Sequence, residues 1–332
     1  MFRVGIVGCG GIAQVHAAVL HALPQTQLTA FADILPEKAR LMAAQYGGHA
    51  YASVQEMLGG EELDAVHLCT PHFLHAPMAA LAAEHGAAVF TEKPPAINRA
   101  QWVQLEQAAR LMPLGVCFQN RYNANVQAVR QLLREKTHGK LLGARAFVTW
   151  QRDAAYYRDS GWRGRWETEG GGVLINQAVH TLDLLAWFMG APGMVQCHMS
   201  NYHLPDVIEV EDTAEAYLTL GGKPALLYAS TAYTQNAPVF IELQLEKATL
   251  RLYENCLDIV TAEGTEHRVF GTPEAMGKGY WGSGHLSCIS DFYDSLTAGR
   301  PYQNDLNSVR NTVDALLRLY AQGREQLEKG EK

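Results

Sequence analysis

Lys93 closes an apolar run in AVFTEKPPA, residues 88–96, with Glu92 before it and two prolines after it. An ammonium there is a fixed positive charge suited to holding a hydroxyl and stabilising it as an alkoxide forms. Pro94 and Pro95 restrict the backbone that aims it. The alternative is a surface lysine paired with Glu92. A second set of reactive types is Asn176, His180 and Asp183 in EGGGVLINQAVHTLD, residues 169–183. In one continuous helix their i, i+4, i+7 spacing places them on one stripe of an otherwise apolar cylinder. A buried polar group left unbonded costs about 1–3 kcal/mol, so the stripe is either satisfied internally or lines a wet cavity. In the first case His180 and Asp183 bond each other and the chain around them. In the second, His180 is a general acid/base titrating near neutrality.

A glycine loop, GCGGIA at residues 8–13, follows an apolar run and precedes a helical segment. It fits G-x-G-x-x-A: Gly8 allows the tight turn, Gly10 lets backbone approach a pyrophosphate, and Ala13 lets helix pack on strand. Gly11 and Ile12 supply N–H groups of the helix start, where the dipole favours phosphate. Asp33 ends the next apolar run, 23 residues after Gly10, where a carboxylate accepts from ribose hydroxyls. Within about 4 Å of a 2'-phosphate it would be repelled by several kcal/mol at an effective dielectric near 20, and Ile34-Leu35 offer no cation. NAD is therefore expected rather than NADP. The other reading of Asp33 is a cap for the helix starting at Pro36. The glycines at 170–172 lack a preceding strand, because residues 153–168 are polar and aromatic, so a second phosphate loop is not expected. In that segment Tyr156, Tyr157, Trp162 and Trp166 accompany Arg158, Arg163 and Arg165, a composition that suits a carbohydrate lid or an oligomer contact. Asn120 and Arg121, at the end of the last strand of the first domain, are candidates to face the same cleft. His67, inside an apolar run, reads as core.

These residues need a scaffold. From residue 2 to about 120, short apolar runs (FRVGIVG, QLTAFAD, AVHLCTP, AAVFTEK, LGVCFQN) alternate with helical patterns near 12–22, 36–45, 75–85 and 99–111. That is the pattern of a parallel sheet covered on both faces. From about residue 141, LLGARAFVTWQR, AEAYLTL, ALLYAST, VFIELQLE and ATLRLY alternate apolar with polar, as in a mostly antiparallel open sheet. After the glycines, VLINQAVHTLDLLAWFMG reads as one helix stopped at Gly190. The expected fold is α/β: a Rossmann domain over 1–120, and a substrate-binding and oligomerisation domain over 121–332, whose helix at about 305–327 crosses back onto the first domain. No internal repeat is evident.

With 332 residues, 48% hydrophobic and 18% charged, the chain has the composition of a folded two-domain protein. A formal net charge of -7 disfavours nucleic acid as a partner. Six dispersed cysteines show no C-x-x-C spacing, so no metal site and reduced thiols are expected. With no secretory leader and no apolar run of membrane length, the expected location is the cytoplasm, away from membranes.

Together GCGGIA, Asp33, TPHFLH (70–75), EKP (92–94) and GGGVLINQAVHTLD resemble the glucose-fructose oxidoreductase, inositol 2-dehydrogenase and rhizopine-catabolism (Gfo/Idh/MocA) oxidoreductase family. The resemblance runs through essentially the whole chain. It implies NAD(P)-dependent oxidation or reduction at a secondary carbon of a sugar or cyclitol, by a homodimer or homotetramer joined through the open sheet. On it Lys93 matches the lysine that positions the reacting hydroxyl, and Glu92, Thr70, Pro71, His72 and His75 fall on the cofactor side. His180 falls on the catalytic histidine. Asn176, Asp183, Trp162, Tyr156, Arg163, Arg121 and His285, the last in GYWGSGH (279–285), are the candidate substrate contacts. Many members carry Asp where this chain has Asn176; an amide takes up no proton, which leaves the acid/base role to His180. Two other functions fit the same motifs: glycoside modification through a transient 3-keto sugar with recycled NAD, and NAD(H) sensing without turnover.

Overall fold

A computed structural model describes residues 1–271 and 284–330. The chain divides into two compact units, one made of Met1–Gln119 with Glu274–Ser308, of which 284–308 are described, and the other of Asn120–Pro273 with Val309–Lys332.

In the first unit β1 (Phe2–Val7), α1 (Gly11–Ala22), β2 (Thr26–Ala32), α2 (Pro36–Tyr46), β3 (His49–Tyr51), α3 (Val54–Gly60), β4 (Ala65–Leu68), α4 (His75–Glu84), β5 (Ala88–Thr91), α5 (Arg99–Ala108) and β6 (Leu114–Val116) alternate. The strands form one parallel sheet in the order β3-β2-β1-β4-β5-β6. Every residue of β4 and β5 is buried, as expected of strands covered on both faces. The sheet order reverses beside β1, so the loops after β1 and β4 open at the switch point where such folds bind ligands.

The second unit contains α6 (Ala124–Glu135), β7 (Leu141–Thr149), α7 (Ala154–Arg158), α8 (Val173–Asn176), α9 (Val179–Met189), β8 (Pro192–Ser200), β9 (Thr213–Leu220), β10 (Lys223–Ser230), β11 (Phe240–Leu245), β12 (Thr249–Tyr253), β13 (Cys256–Thr261) and β14 (Gly264–Val269). Its eight strands run β14-β13-β12-β11-β7-β10-β9-β8. Only the central β7–β10 pair among them is parallel. Inward residues such as Ala216, Leu218, Leu227 and Leu243 are fully buried.

Two expectations change. The cut near residue 120 omits α10 (His285–Ala298), which groups with the first unit because Cys288, Ile289, Phe292 and Tyr293 bury their side chains there. The C-terminal helix α11 (Leu306–Gly330) groups from Val309 onward with the second unit. It lies against β8, where a Cβ on Gly323 would stand 2.7 Å from the Met199 side chain. All six cysteines are free and buried. No helix among the described residues is long and apolar enough to cross a membrane.

Candidate active site

The glycine loop has the shape a dinucleotide needs. Gly8 has φ +84, and a Cβ on it would meet the Cys69 carbonyl at 2.7 Å. At Gly10 a Cβ would meet nothing within 4 Å, so the backbone there faces open space. Gly10 gives α1 no side-chain cap, which keeps the first-turn N–H groups at Gly11, Ile12 and Ala13 available to an anion. Asp33 Oδ2 accepts from the Cys9 N–H at 2.7 Å, and Oδ1 from the Leu35 N–H at 2.8 Å. Asp33 thus fixes the turn before α2 and braces the glycine loop, while the N-cap of α2 itself is Leu35, which gives no side-chain cap. Each oxygen keeps a lone pair for a ribose hydroxyl.

Behind Lys93 lies a buried relay. Glu92 accepts from His16 Nε2 at 3.0 Å, His16 Nδ1 meets His67 Nδ1 at 2.9 Å, and His67 Nε2 meets the Tyr293 hydroxyl at 2.9 Å. The Glu92 carboxylate accepts, so His16 donates through Nε2; a neutral His67 has one ring proton, so it donates to one of His16 and Tyr293 and accepts from the other. Burial and the neighbouring His16 push His67 well below the ordinary histidine range, which agrees. Burial pushes Glu92 upward, but the His16 hydrogen bond and the fields of His16, His285 and Lys93 hold it below the usual carboxylate range. Glu92 Oε2 also accepts the Lys93 backbone N–H at 3.3 Å. His16, Glu92 and Cys117 bring one ligand-type atom each within 4.8 Å of one another. No sequence spacing announces that cluster, and its His16 nitrogens are already engaged.

His75 ties the two cofactor-side loops together. Its Nδ1 lies 2.7 Å from the Pro94 carbonyl and Nε2 2.8 Å from the Thr70 carbonyl. Only an imidazolium could donate to both, yet burial outweighs the two carbonyls and pulls its pKa down. The neutral ring therefore donates to one carbonyl at a time. Thr70 and Pro71 are half-buried, and His72 is buried in a short turn. His285 is also buried; burial, opposed by Glu92 and aided by His16 and Lys93, brings its pKa to about 4. It is a neutral core histidine at the start of α10, which weakens its reading as a substrate contact. The rest of its motif, residues 279–283, lies outside the described residues.

In the second unit the expected single helix is two. The Ala178 N–H bonds the Val173 carbonyl five residues back, at 2.8 Å, between α8 and α9. This wide turn inserts a residue into the helical period, so the i, i+4, i+7 stripe does not hold. From Glu169 to Ala186 every residue is buried except Asn176 and His180, which are half-buried. Asp183 is fully internal. It receives Arg121 Nε at 2.8 Å, Arg121 Nη2 at 2.6 Å and the Thr312 hydroxyl at 2.7 Å. Arg121 is 0% exposed and Asp183 1%. Both were expected to contact substrate; the structure commits them to each other.

Asn176 donates through Nδ2 to Glu169 and, at 3.4 Å, to the Tyr156 hydroxyl. Gln177 Nε2 reaches that hydroxyl at 3.2 Å. Burial, opposed by the Gly164 N–H, Asn176 and Arg163, raises Glu169 to about 7. Burial raises Glu211 to about 7 as well, although it accepts from the Gly172 and Leu174 N–H groups and the Tyr320 hydroxyl. Of the aromatic and arginine cluster, Tyr156, Trp162 and Arg163 stay together, with the Arg163 Cζ 4.5 Å from the Tyr156 ring and 4.8 Å from the Trp162 ring. Tyr157 packs in the core with Ile208 and Val210. Trp166 lies against Tyr320 and Arg324, and Arg158 and Arg165 are exposed. Glu169, Gln177 and Arg152 were not singled out from sequence. Their only signal was nearness in the chain to the glycines, His180 and Tyr156.

Residues 2–119 match the model of an oxidoreductase family with an NAD-binding Rossmann fold, and residues 126–251 match the GFO/IDH/MocA C-terminal domain. The chain belongs to the Gfo/Idh/MocA oxidoreductase family. Its first domain is an NAD-binding Rossmann domain. The chain is similar to the WlbA dehydrogenase of Bordetella pertussis, solved with NADH and UDP-GlcNAcA, at 27% identity and a TM-score of 0.86, covering 98% of this chain and 97% of that one. It is 29% identical to a D-glucoside 3-dehydrogenase of Escherichia coli over 198 residues, 58% of this chain and 55% of that protein, and so spans about half the length of that relative. It is 23% identical to an inositol 2-dehydrogenase of Rhizobium meliloti over 279 residues, 79% of each.

Proposed function

We propose that this member of the family is an NAD-dependent dehydrogenase that moves a hydride between the nicotinamide and a secondary alcohol carbon of a sugar, glycoside or cyclitol, with His180 as acid/base and Lys93 as fixed charge. The observation that carries the proposal is the pair of openings in a sealed segment: between Glu169 and Ala186 only Asn176 and His180 are not buried. The names of the relatives, a glucoside and an inositol dehydrogenase, support the substrate class.

NAD+ bound at the glycine loop supplies the hydride acceptor at its nicotinamide C4. In oxidation the carbinol C–H and O–H bonds break and a carbonyl forms. His180 takes the hydroxyl proton, and the Lys93 ammonium stabilises negative charge developing on the same oxygen. Asn176 holds a hydroxyl without exchanging a proton. Turnover over a panel of hexoses, uronic acids, cyclitols and glycosides, followed by nicotinamide absorbance, tests this. His180→Ala and Lys93→Ala are each expected to bind NAD and lose roughly 10²–10⁴-fold in kcat; normal turnover in either removes that residue from the scheme.

A second reading keeps the same groups and is favoured by the glucoside relative's name, which specifies C3. Oxidation at C3 acidifies the C2 hydrogen; the C2 proton leaves, the C1 aglycone is expelled, water adds across C1–C2, and the C3 carbonyl is reduced again. Aglycone release without net absorbance change distinguishes it. We also propose that copies of the chain associate through the outer face of the eight-stranded sheet.

A further inference from the structure

Beside Asn176, aromatic rings and guanidinium groups alternate. The Tyr156 ring has two guanidinium groups beside it, Arg152 with Cζ at 5.0 Å and Arg163 at 4.5 Å. Trp150 flanks Arg152 at 5.1 Å, and Trp162 flanks Arg163 at 4.8 Å. The result is a row alternating aromatic and cation, tied through the Tyr156 hydroxyl to the Asn176 and Gln177 amides.

Guanidinium groups stay charged at any working pH. The Arg163 Nε is buried without a hydrogen-bond partner, and among the described residues no carboxylate lies within 4.0 Å of the Arg163 guanidinium. Glu169 is the carboxylate in its field, but its oxygens already receive the Gly164 N–H and the Asn176 amide. Burial keeps Glu169 partly protonated at neutral pH. Contact with aromatic faces contributes about 0.5–2 kcal/mol per cation but leaves the Arg163 Nε–H without an acceptor. An anion supplied by a ligand provides one, and the planar fork of arginine matches a carboxylate or a phosphate.

We infer that the substrate is a sugar carrying an anionic substituent, a carboxylate or a phosphate, received by Arg163 beside Tyr156, while Trp162 packs on its C–H face. The inference rests on the dehydrogenase reading for the word substrate, but the binding it describes is measurable alone.

The test is calorimetric titration of the NAD-loaded protein with D-glucuronate, D-glucose 6-phosphate and D-glucose, in parallel with turnover assays. At least one of the two anionic sugars is expected to bind about tenfold or more tighter than glucose, and which one does separates carboxylate from phosphate. Arg163→Gln is expected to abolish that preference and leave NAD affinity unchanged. Arg163→Lys, which retains charge but not the fork, is expected to give an intermediate preference, and it serves should the glutamine variant fail to fold. Glucose binding as tightly as both anionic sugars, no binding of either anionic sugar, or a preference that survives Arg163→Gln overturns the inference. Turnover of neutral sugars as efficient as that of both anionic sugars would sink the inference and leave the dehydrogenase reading standing. Anion-selective binding without turnover of any sugar would do the reverse.

Discussion

Glu169 governs what Asn176 presents to a ligand. An ionised carboxylate only accepts hydrogen bonds, so the Asn176 amide must turn its NH2 toward Glu169, with the Tyr156 hydroxyl on the same side; Asn176 Oδ1 is thereby directed away as an acceptor. Burial raises Glu169 to about 7 against the Gly164 N–H, Asn176 and Arg163, with Glu211 reinforcing the rise; Tyr156, Tyr157 and Tyr320 stand in the same field. Since the folded pKa exceeds the ordinary glutamate value of 4.5, the stability due to the protonated form is complete below 4.5 and is lost as pH rises through 7. The hold on Asn176 runs the other way, strengthening as Glu169 ionises. KM for the sugar is therefore expected to fall as pH rises through about 7. In Glu169→Gln that dependence should vanish and KM should rise by about tenfold, with NAD affinity unchanged; a pH limb that persists in KM assigns it to another group. Sequence showed Asn176 as a departure from its relatives but not the carboxylate seven positions earlier that orients it. Contact between them requires a backbone reversal at Gly170 (φ 86) and Gly171 (φ 154), and residue type alone does not specify it. For the same reason Asp183 was paired by spacing with His180, when its partners Arg121 and Thr312 come from distant segments.

At the level of elements, the two glycine runs are glycine-rich for different reasons, and substitution separates them. A Cβ on Gly172 would lie 1.9 Å from the Glu211 carbonyl oxygen, so Gly172→Ala must displace β9's approach or the start of α8. The expected cost is about 3 kcal/mol or more, a drop of roughly 5–10 °C in Tm. Gly10→Ala meets nothing within 4 Å at its Cβ, so its Tm should stay within roughly 2 °C of the parent while NAD affinity falls, because the methyl occupies the face a pyrophosphate approaches. Thermal unfolding with and without NAD checks both; equal destabilisation by the two substitutions would contradict the distinction. The parallel sheet was legible because each strand is a continuous apolar run between helices. The edge strand β14, GTEHRV, was not, since nearly all of it is exposed and it carries no apolar period. The division between α8 and α9 was equally hidden, because a wide turn at Ala178 changes hydrogen bonding and not composition.

Across the whole molecule, the first domain could be bounded from sequence near residue 120, but α10 joins it from more than 150 residues away and the helix from Val309 belongs with the second unit; apolar periodicity says that a helix buries a face, not against which sheet. The outer face of the second sheet carries its own pattern. Registers align Tyr228 with Phe147, Phe147 with Phe240 and Phe240 with Tyr253 across four adjacent strands. The neighbouring row aligns Tyr217, Leu226, Arg145, Glu242 and Arg251, where Glu242 receives Arg145 at 2.7 Å and Arg251 at 2.8 Å. Tyr217 is 38% and Leu226 43% exposed. An aromatic row beside a self-complementary charged row is a surface that a two-fold axis can pair with itself, and contiguous apolar surface of this kind marks an association site. The chain is expected to run as a dimer or tetramer in light scattering. Leu226→Glu with Tyr228→Lys, both pointing away from the core, should lower the assembly state while leaving the NAD affinity of the dissociated protein within about twofold of the parent, a difference of roughly 0.4 kcal/mol. A monomeric parent, or a double variant whose mass is unchanged, would remove this face as the interface.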